Sequence, residues 1–244
     1  MVKGLFRSAS GMLVRQTRMD AISNNIANVN TTGYKRDSIF AQRLVEAMPV
    51  VGNLRGNHDP HSDTLDMFTD SSTGSFTKTD HPLDVAIQGT GFFVIDTPEG
   101  QRLTRNGHFQ VDAEGNLVDS NGNAVSGDGG QITLPLNADA YISENGEVVA
   151  DGEVVGKLQV VEMLDERQME KLGNGYYASE GVATNPIETT RLVTGSLENS
   201  NVDIMMEMVE MISVQREFEV EQKMIHTTDG TLDRLIRDVG RGIG

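Results

Sequence analysis

Residues 24–37 read NNIANVNTTGYKRD, and the fold follows from what stands on either side of them. Ahead of the block, Leu5, Met12, Met19 and Ile26 recur every seven residues, with Phe6, Ala9, Leu13 and Ile22 flanking them on the same side. That is the apolar stripe of a helix, with Arg7, Arg15 and Arg18 elsewhere on its circumference. Into its end are set Asn24, Asn25, Asn28 and Asn30, a residue type that caps and turns better than it propagates a helix. Gly33, Tyr34, Lys35 and Arg36 then form a basic turn. The block admits three readings: a plain helix end, a catalytic loop or a recognition surface.

The far end of the chain repeats the pattern. Ile204, Met211, Phe218, Ile225, Leu232 and Val239 also step by seven, and Met205, Met208 and Ile212 widen the stripe in its first half. Gln215 and Gln222 fall where they would complete the seam and make it partly polar. ENSNVD (198–203) offers Asn and Ser caps ahead of this helix, and Gly240 with Gly242 ends it. Thr227, Thr228, Asp229 and Gly230 form a weak patch where a kink is expected. Its first half carries Glu207, Glu210, Glu217, Glu219 and Glu221, opposite in sign to the basic N-terminal helix. Narrow stripes of this kind do not hold a helix alone in water, so the simplest arrangement packs the two together and against neighbours.

The middle has a different character. LDVAIQ (83–88) and GFFVID (91–96) read as strands, and Asn106-Gly107 reads as a hairpin turn between QRLTR and HFQV. AEGN, SNGN and ENGE, starting at 113, 120 and 144, are further turns, and GEVVGKLQVVEML (152–164) is a strand pair or a bulged strand. The expected class is therefore mixed: terminal α-helices pairing as a coiled coil, plus a central all-β domain. The divisions fall at 1–47 for the N-terminal helical arm, 48–75 for an extended arm or linker, 76–195 for the β domain and 196–244 for the C-terminal helical arm.

Composition narrows the function. The chain of 244 residues carries a net charge of −16, which argues against nucleic-acid binding. Residues 1–45 hold seven basic side chains against two acidic ones, so the acid is concentrated downstream. There is no cysteine, hence no disulfide framework and no thiolate chemistry. No apolar run is long enough for a transmembrane helix, and no hydrophobic signal core stands at the N-terminus.

The sequence carries few residues in patterns that chemistry requires. HDPH (58–61), near Asp63 and Asp66, is the one His/Asp cluster, and it lies in a polar stretch that reads as a solvated loop rather than a metal site. Counting an EF-hand loop from Asp119 puts Ala124 at the required glycine and Gly130 at the required glutamate, so the calcium reading fails. QGTGFF (88–93) is not a phosphate cradle, and no nucleophile elbow, P-loop or zinc-protease motif occurs. No enzyme activity, cofactor, metal or small-molecule substrate is expected. The Met-rich IMMEMVEMI (204–212) is read as a helix–helix seam.

The residues also carry a resemblance. SGMLVRQTRMDAISNNIANVNTTGYKRD (10–37) resembles the N-terminal motif of the bacterial flagellar rod and hook proteins, its block being Asn24, Asn25, Ala27, Asn28, Thr31, Gly33, Tyr34 and Lys35. TGSLENSNVDIMMEMVEMISVQREFEVEQKMI (194–225) is similar to that family's C-terminal signature, and 81–95 with 103–125 to its β region. Within the group, VGKLQVVEML and QREFEVEQKMI look most like a proximal rod protein, with the distal rod protein next.

The resemblance implies a structural subunit of the basal-body rod. Such subunits stack helically into a hollow shaft that transmits torque from motor to hook, with the paired terminal helices as its inner wall. It implies as partners the protein itself, other rod proteins, hook-side and ring proteins and the flagellar type III export apparatus. It places the protein in the periplasmic space, exported without a cleaved signal. The assembly seam would be Leu5, Met12, Met19, Ile26, Ile204, Met208, Met211, Phe218, Ile225 and Leu232. Two other classes stay open on the residues alone: a peptidoglycan-cleaving enzyme, and a β-domain adaptor with helical oligomerisation arms.

Overall fold

The computed structural model describes residues 2–42, 64–135, 138–163, 169–179, 184–186 and 191–241. Most of the arm expected at 48–75, including HDPH, lies outside the described residues. Two long helices bracket the chain: α1, Val2–Ala27, and α2, Ile204–Arg241. The chain divides into two compact units, one of residues 1–26, 37–67 and 204–244, the other of 27–36 and 68–203.

The first unit holds α1, α2 and the strand Asp37–Gln42, which pairs with Thr64–Thr69. α2 is helical throughout, Thr227 to Gly230 included. Thr227 and Thr228 there turn their hydroxyls back onto the carbonyls of Lys223 and Met224, so the polar side chains are satisfied along the helix.

The second unit is almost all β. Its centre is the strand Phe92–Thr97, which pairs antiparallel with Gly100–Thr104, Ala124–Gly127 and Val160–Met163. Alternation explains its position. Phe93 and Ile95 face one core with Val85, Ile87, Phe109 and Leu117, while Phe92 and Val94 face a second with Leu103 and Tyr177. A strand that is apolar on both faces belongs in the middle of such a unit. Phe93 meets Phe109 edge to face at 5.2 Å, and Phe92 meets Tyr177 at 5.3 Å. A three-stranded sheet of Ala140–Ile142, Glu147–Ala150 and Glu153–Lys157 adds to the first core through Ile142, Val148 and Ala150. Two short ladders complete the unit: Val85–Gln88 with Arg191–Thr194, and Phe76–Lys78 with Ser196–Glu198.

Two sequence expectations are corrected. Asn106-Gly107 does not turn a hairpin. Gly100–Thr104 instead pairs back on Phe92–Thr97 around Pro98 and Glu99, and Gln110–Val111 pairs with Leu117–Val118. Gly107 serves close approach: a Cβ there would sit 1.7 Å from the Val85 carbonyl oxygen, and its own carbonyl accepts from Val85 N–H at 3.0 Å. The expected caps also have other duties. Asn199 and Asn201 bond to residues 70–77 and to Arg36, as described below.

Candidate functional site

In the first unit, Arg18 Nη2 lies 2.5 Å from Glu210 Oε1, and Arg15 reaches Glu217 at 3.2 Å and Glu221 at 2.8 Å. Asn25 Nδ2 donates to Glu207 Oε2 at 3.3 Å. Partner numbers on α2 fall as numbers on α1 rise, so the helices run antiparallel over this stretch. The ion pairs are partly solvated and each contributes about 1 kcal/mol or less; they set register more than stability.

The shielded face of α2 runs through Glu207, Met211, Val214, Phe218, Glu221, Ile225 and Thr228, with steps of four and three. Met211, Phe218 and Ile225 are thus half-buried, as are Met12, Met19 and Ile26 of α1. Gln215 and Gln222, expected to complete the seam, are exposed. The second row lies three residues after each of the first, because Val214 packs and Glu207 and Glu221 find partners on α1. Ile204 continues the first row at the start of α2 and is 38% exposed there, Met208 falls outside this face and is exposed, and the side chains of Leu5 and Leu232 lie outside the described residues. With Met205 at 68% and Val209 at 65% exposure, and Ile212 and Val220 also exposed, α2 presents a second apolar face to solvent.

The asparagine block separates into distinct roles. Asn25 is fully buried. Its amide donates to Asp37 O at 2.8 Å and accepts from Asp37 N–H at 2.9 Å, so one side chain takes the place of a ladder neighbour at the head of Asp37–Gln42. Asn28 closes the turn after α1, its carbonyl taking Thr31 N–H at 3.1 Å and its side chain Thr31 Oγ1 at 3.1 Å. Ala27, Asn24 and Asn30 are exposed.

The rest of the motif builds a buried node in the second unit. Lys35 donates to Glu198 Oε1 at 2.7 Å and to Ser72 O at 2.8 Å. Arg105 donates to Glu198 Oε2 at 2.7 Å, and its guanidinium also reaches the carbonyls of Ile87, Gly89 and Gly91. Gly74 N–H donates to Glu198 Oε1 at 2.9 Å, and Gly33 N–H to Glu198 O at 2.8 Å. Two cations and one anion thus share a site from which water is excluded, and every oxygen of the carboxylate is occupied. Burial pushes the Lys35 ammonium below the ordinary lysine value, Glu198 opposing and Arg105 adding to the shift. Gly33 has φ of +70°, and a Cβ there would lie 2.6 Å from the Arg105 backbone carbon, so only glycine fits. Tyr34 lies under Lys171, whose Nζ is 4.0 Å from the ring centroid and donates to Lys35 O at 2.5 Å. Asn201 completes the node: it accepts from Arg36 N–H at 2.7 Å and donates to Asp70 O at 2.8 Å and Ser72 O at 3.1 Å.

Glu198 and Arg105 did not stand out in the sequence. The signal available was slight: Glu198 follows Ser196 and Leu197 in a three-residue strand and Arg105 follows Leu103 and Thr104, and only their burial makes each require the other. Elsewhere, Asp84 lies 2.6 Å from His108 Nδ1 and 3.5 Å from His81 Nδ1, but among the described residues no group of His, Cys, Asp and Glu is arranged to hold a metal ion. Asp119, where an EF-hand loop would begin, accepts from Asn121 N–H and Asn123 N–H at 2.9 Å and from the Tyr176 hydroxyl. None of the described helices is long and apolar enough to cross a membrane.

What these parts define is a structural subunit: helical arms with apolar surface and a β unit closed by a buried node. Residues 8–35 match the flagella basal body rod protein family, residues 86–150 the flagellar hook protein FlgE/F/G D1 domain, and residues 193–238 the flagellar basal body rod FlgEFG protein C-terminal family. The flagellar basal-body rod protein FlgG of Bacillus subtilis (strain 168) is 34% identical, over 97% of this chain and 98% of its own. FlgG of Buchnera aphidicola subsp. Schizaphis graminum is 32% identical over 96% and 99%, and the rod protein FlgF of Caulobacter vibrioides 33% over 93% and 94%. The chain belongs to the flagellar basal-body rod protein family. It is a structural protein of the basal-body rod and not an enzyme.

Proposed function

We propose that this protein assembles helically, with copies of itself and with neighbouring rod proteins, into the hollow shaft that transmits torque between motor and hook. The observation that carries the proposal is the second apolar face of α2. Its charged residues facing α1 are matched within the chain, yet Met205, Val209, Ile212 and Val220 remain in solvent. A helix that is apolar on both sides calls for burial on both sides. α1 and α2 form the coiled-coil inner wall, on the seam from Met12 to Ile26 and from Met211 to Ile225, and the outer face of α2 receives the next subunit. Contacts that do not close into a ring extend into a helix. Export through the flagellar type III apparatus to the periplasmic space, and contact with hook-side and ring proteins, belong to the same reading.

Within the rod, VGKLQVVEML and QREFEVEQKMI favour the proximal position. The distal position is the second reading, favoured by the similarity to FlgG proteins along nearly the whole chain. Labelling the protein in isolated basal bodies tests both, since label at the motor end supports the first and label at the hook end the second. Val209→Asp tests assembly: the subunit is made and exported while rods fail to complete, and normal motility would count against the outer face.

A further inference from the structure

The chain passes between its two compact units at four places, after residues 26, 36, 67 and 203. Backbone tension reaches the β unit through those links. Behind the links at 67 and 203 lies the ladder of Phe76–Lys78 with Ser196–Glu198, and its rung nearest the links is Phe76 opposite Glu198. Pulling residues 68 and 203 apart therefore works on one end of a two-stranded pair, where rungs give way one after another.

That end is the one the node closes. Asn199 N–H donates to Ser75 O at 2.8 Å, and its side chain donates to Ser75 Oγ and Thr77 Oγ1. Gly74 passes so close to Asn199 that a Cβ would meet its carbonyl oxygen at 2.0 Å. Asn201 straps residues 70 and 72 to the exit strand, and Glu198 holds Gly74 N–H. The link at 36 joins the same node, because Lys35 and Gly33 bond to Glu198, Arg36 N–H bonds to Asn201, and Arg36 O accepts from Asp70 N–H at 2.8 Å. Three passages of the chain are thus tied to one another around one buried carboxylate, ahead of the first rung.

We propose that this node is a mechanical joint. It shares tension arriving from the helical arms among three chain passages, so that the bonds must break together, and it keeps the ladder behind it from peeling. The proposal rests on the rod reading for its purpose, since a shaft subunit bears torque, but the joint can be read without a flagellum.

The chain has no cysteine, so Asn30→Cys and Asp203→Cys, both at exposed positions, give two unique attachment points for single-molecule pulling on the full chain. Glu198→Gln and Asn201→Ala are compared with a core variant, Val94→Ala, each at the urea concentration that equalises their stability at zero load. The node variants are expected to unfold about tenfold faster or more than the core variant at the same load. Equal rates at matched stability would overturn the joint. Should Glu198→Gln fail to fold, Asn201→Ala decides, because it leaves the buried ion cluster in place. Failure of the rod reading shows separately, as absence of the protein from isolated basal bodies with the pulling result unchanged.

Discussion

Lys35 and Glu198 are unequal members of the node. Taking away the carboxylate leaves two buried cations facing each other, so Glu198→Gln is expected to lower stability to urea by about 3–5 kcal/mol. Lys35→Met leaves Arg105 on the carboxylate and costs less, and urea unfolding of the two variants side by side checks the order. Alkaline pH gives two contributions of opposite sign. The Lys35 pKa is lowered by folding, so the unfolded chain binds that proton more tightly and stability from this group rises as pH approaches 10.5. Burial and the Asp119 hydrogen bond raise the Tyr176 phenol instead, so the folded chain keeps that proton longer and stability from this group falls above 10.0. Urea unfolding across this range should show Lys35→Met losing the rise and Tyr176→Phe losing the fall. At this scale the sequence was half legible. Gly33 and Lys35 could be singled out because a dense local motif surrounds them. Glu198 could not, because the charges that require it come from positions 163 and 93 residues away.

The helices were the most legible elements, since seven-residue spacing registers without knowledge of the partner. What spacing could not give was the second row of the shielded face. That row is Glu207, Val214, Glu221 and Thr228, and only one of the four is apolar. Arg15 and Asn25 make the acidic positions acceptable there, and this lies on the other helix. The two faces of α2 predict different outcomes for the same substitution. Val214 is 2% exposed, so Val214→Asp puts a carboxylate in place of a packed apolar side chain and should destabilise the arms of the free subunit by about 3 kcal/mol. Val209→Asp alters an exposed position and should change the free subunit by about 0.5 kcal/mol or less while blocking assembly. Circular dichroism melting of the two purified variants, followed by a rod-assembly assay, separates the faces; equal melting losses would mean that α2 has no shielded side.

Across the whole chain, the alternation of apolar residues announced a β unit, yet the segment that closes it is not contiguous with the rest. Residues 27–36 belong with 68–203, although α1 runs directly into them and the turn chemistry around Asn28 reads as a mere helix end. They bring Gly33 N–H, Tyr34 and Lys35 to partners at Glu198 and Lys171 that local pattern reading has no means to find. The consequence is measurable with fragments. A fragment of residues 27–203 contains every group of the node and is expected to fold cooperatively. One of residues 68–203 keeps both apolar cores but exposes the Glu198 carboxylate and the Arg105 backbone where Gly33 and Lys35 had covered them, and loses the strap from Arg36 to Asn201 and Asp70. Losing several hydrogen bonds and one cation of a buried cluster should cost about 3 kcal/mol or more, a fall in Tm on the order of 10 °C for a unit of this size. Calorimetry on the two fragments reads this directly. Equal melting temperatures would show that the β unit closes without the motif, and would reduce the tract after Asn28 to a helix end and a tether.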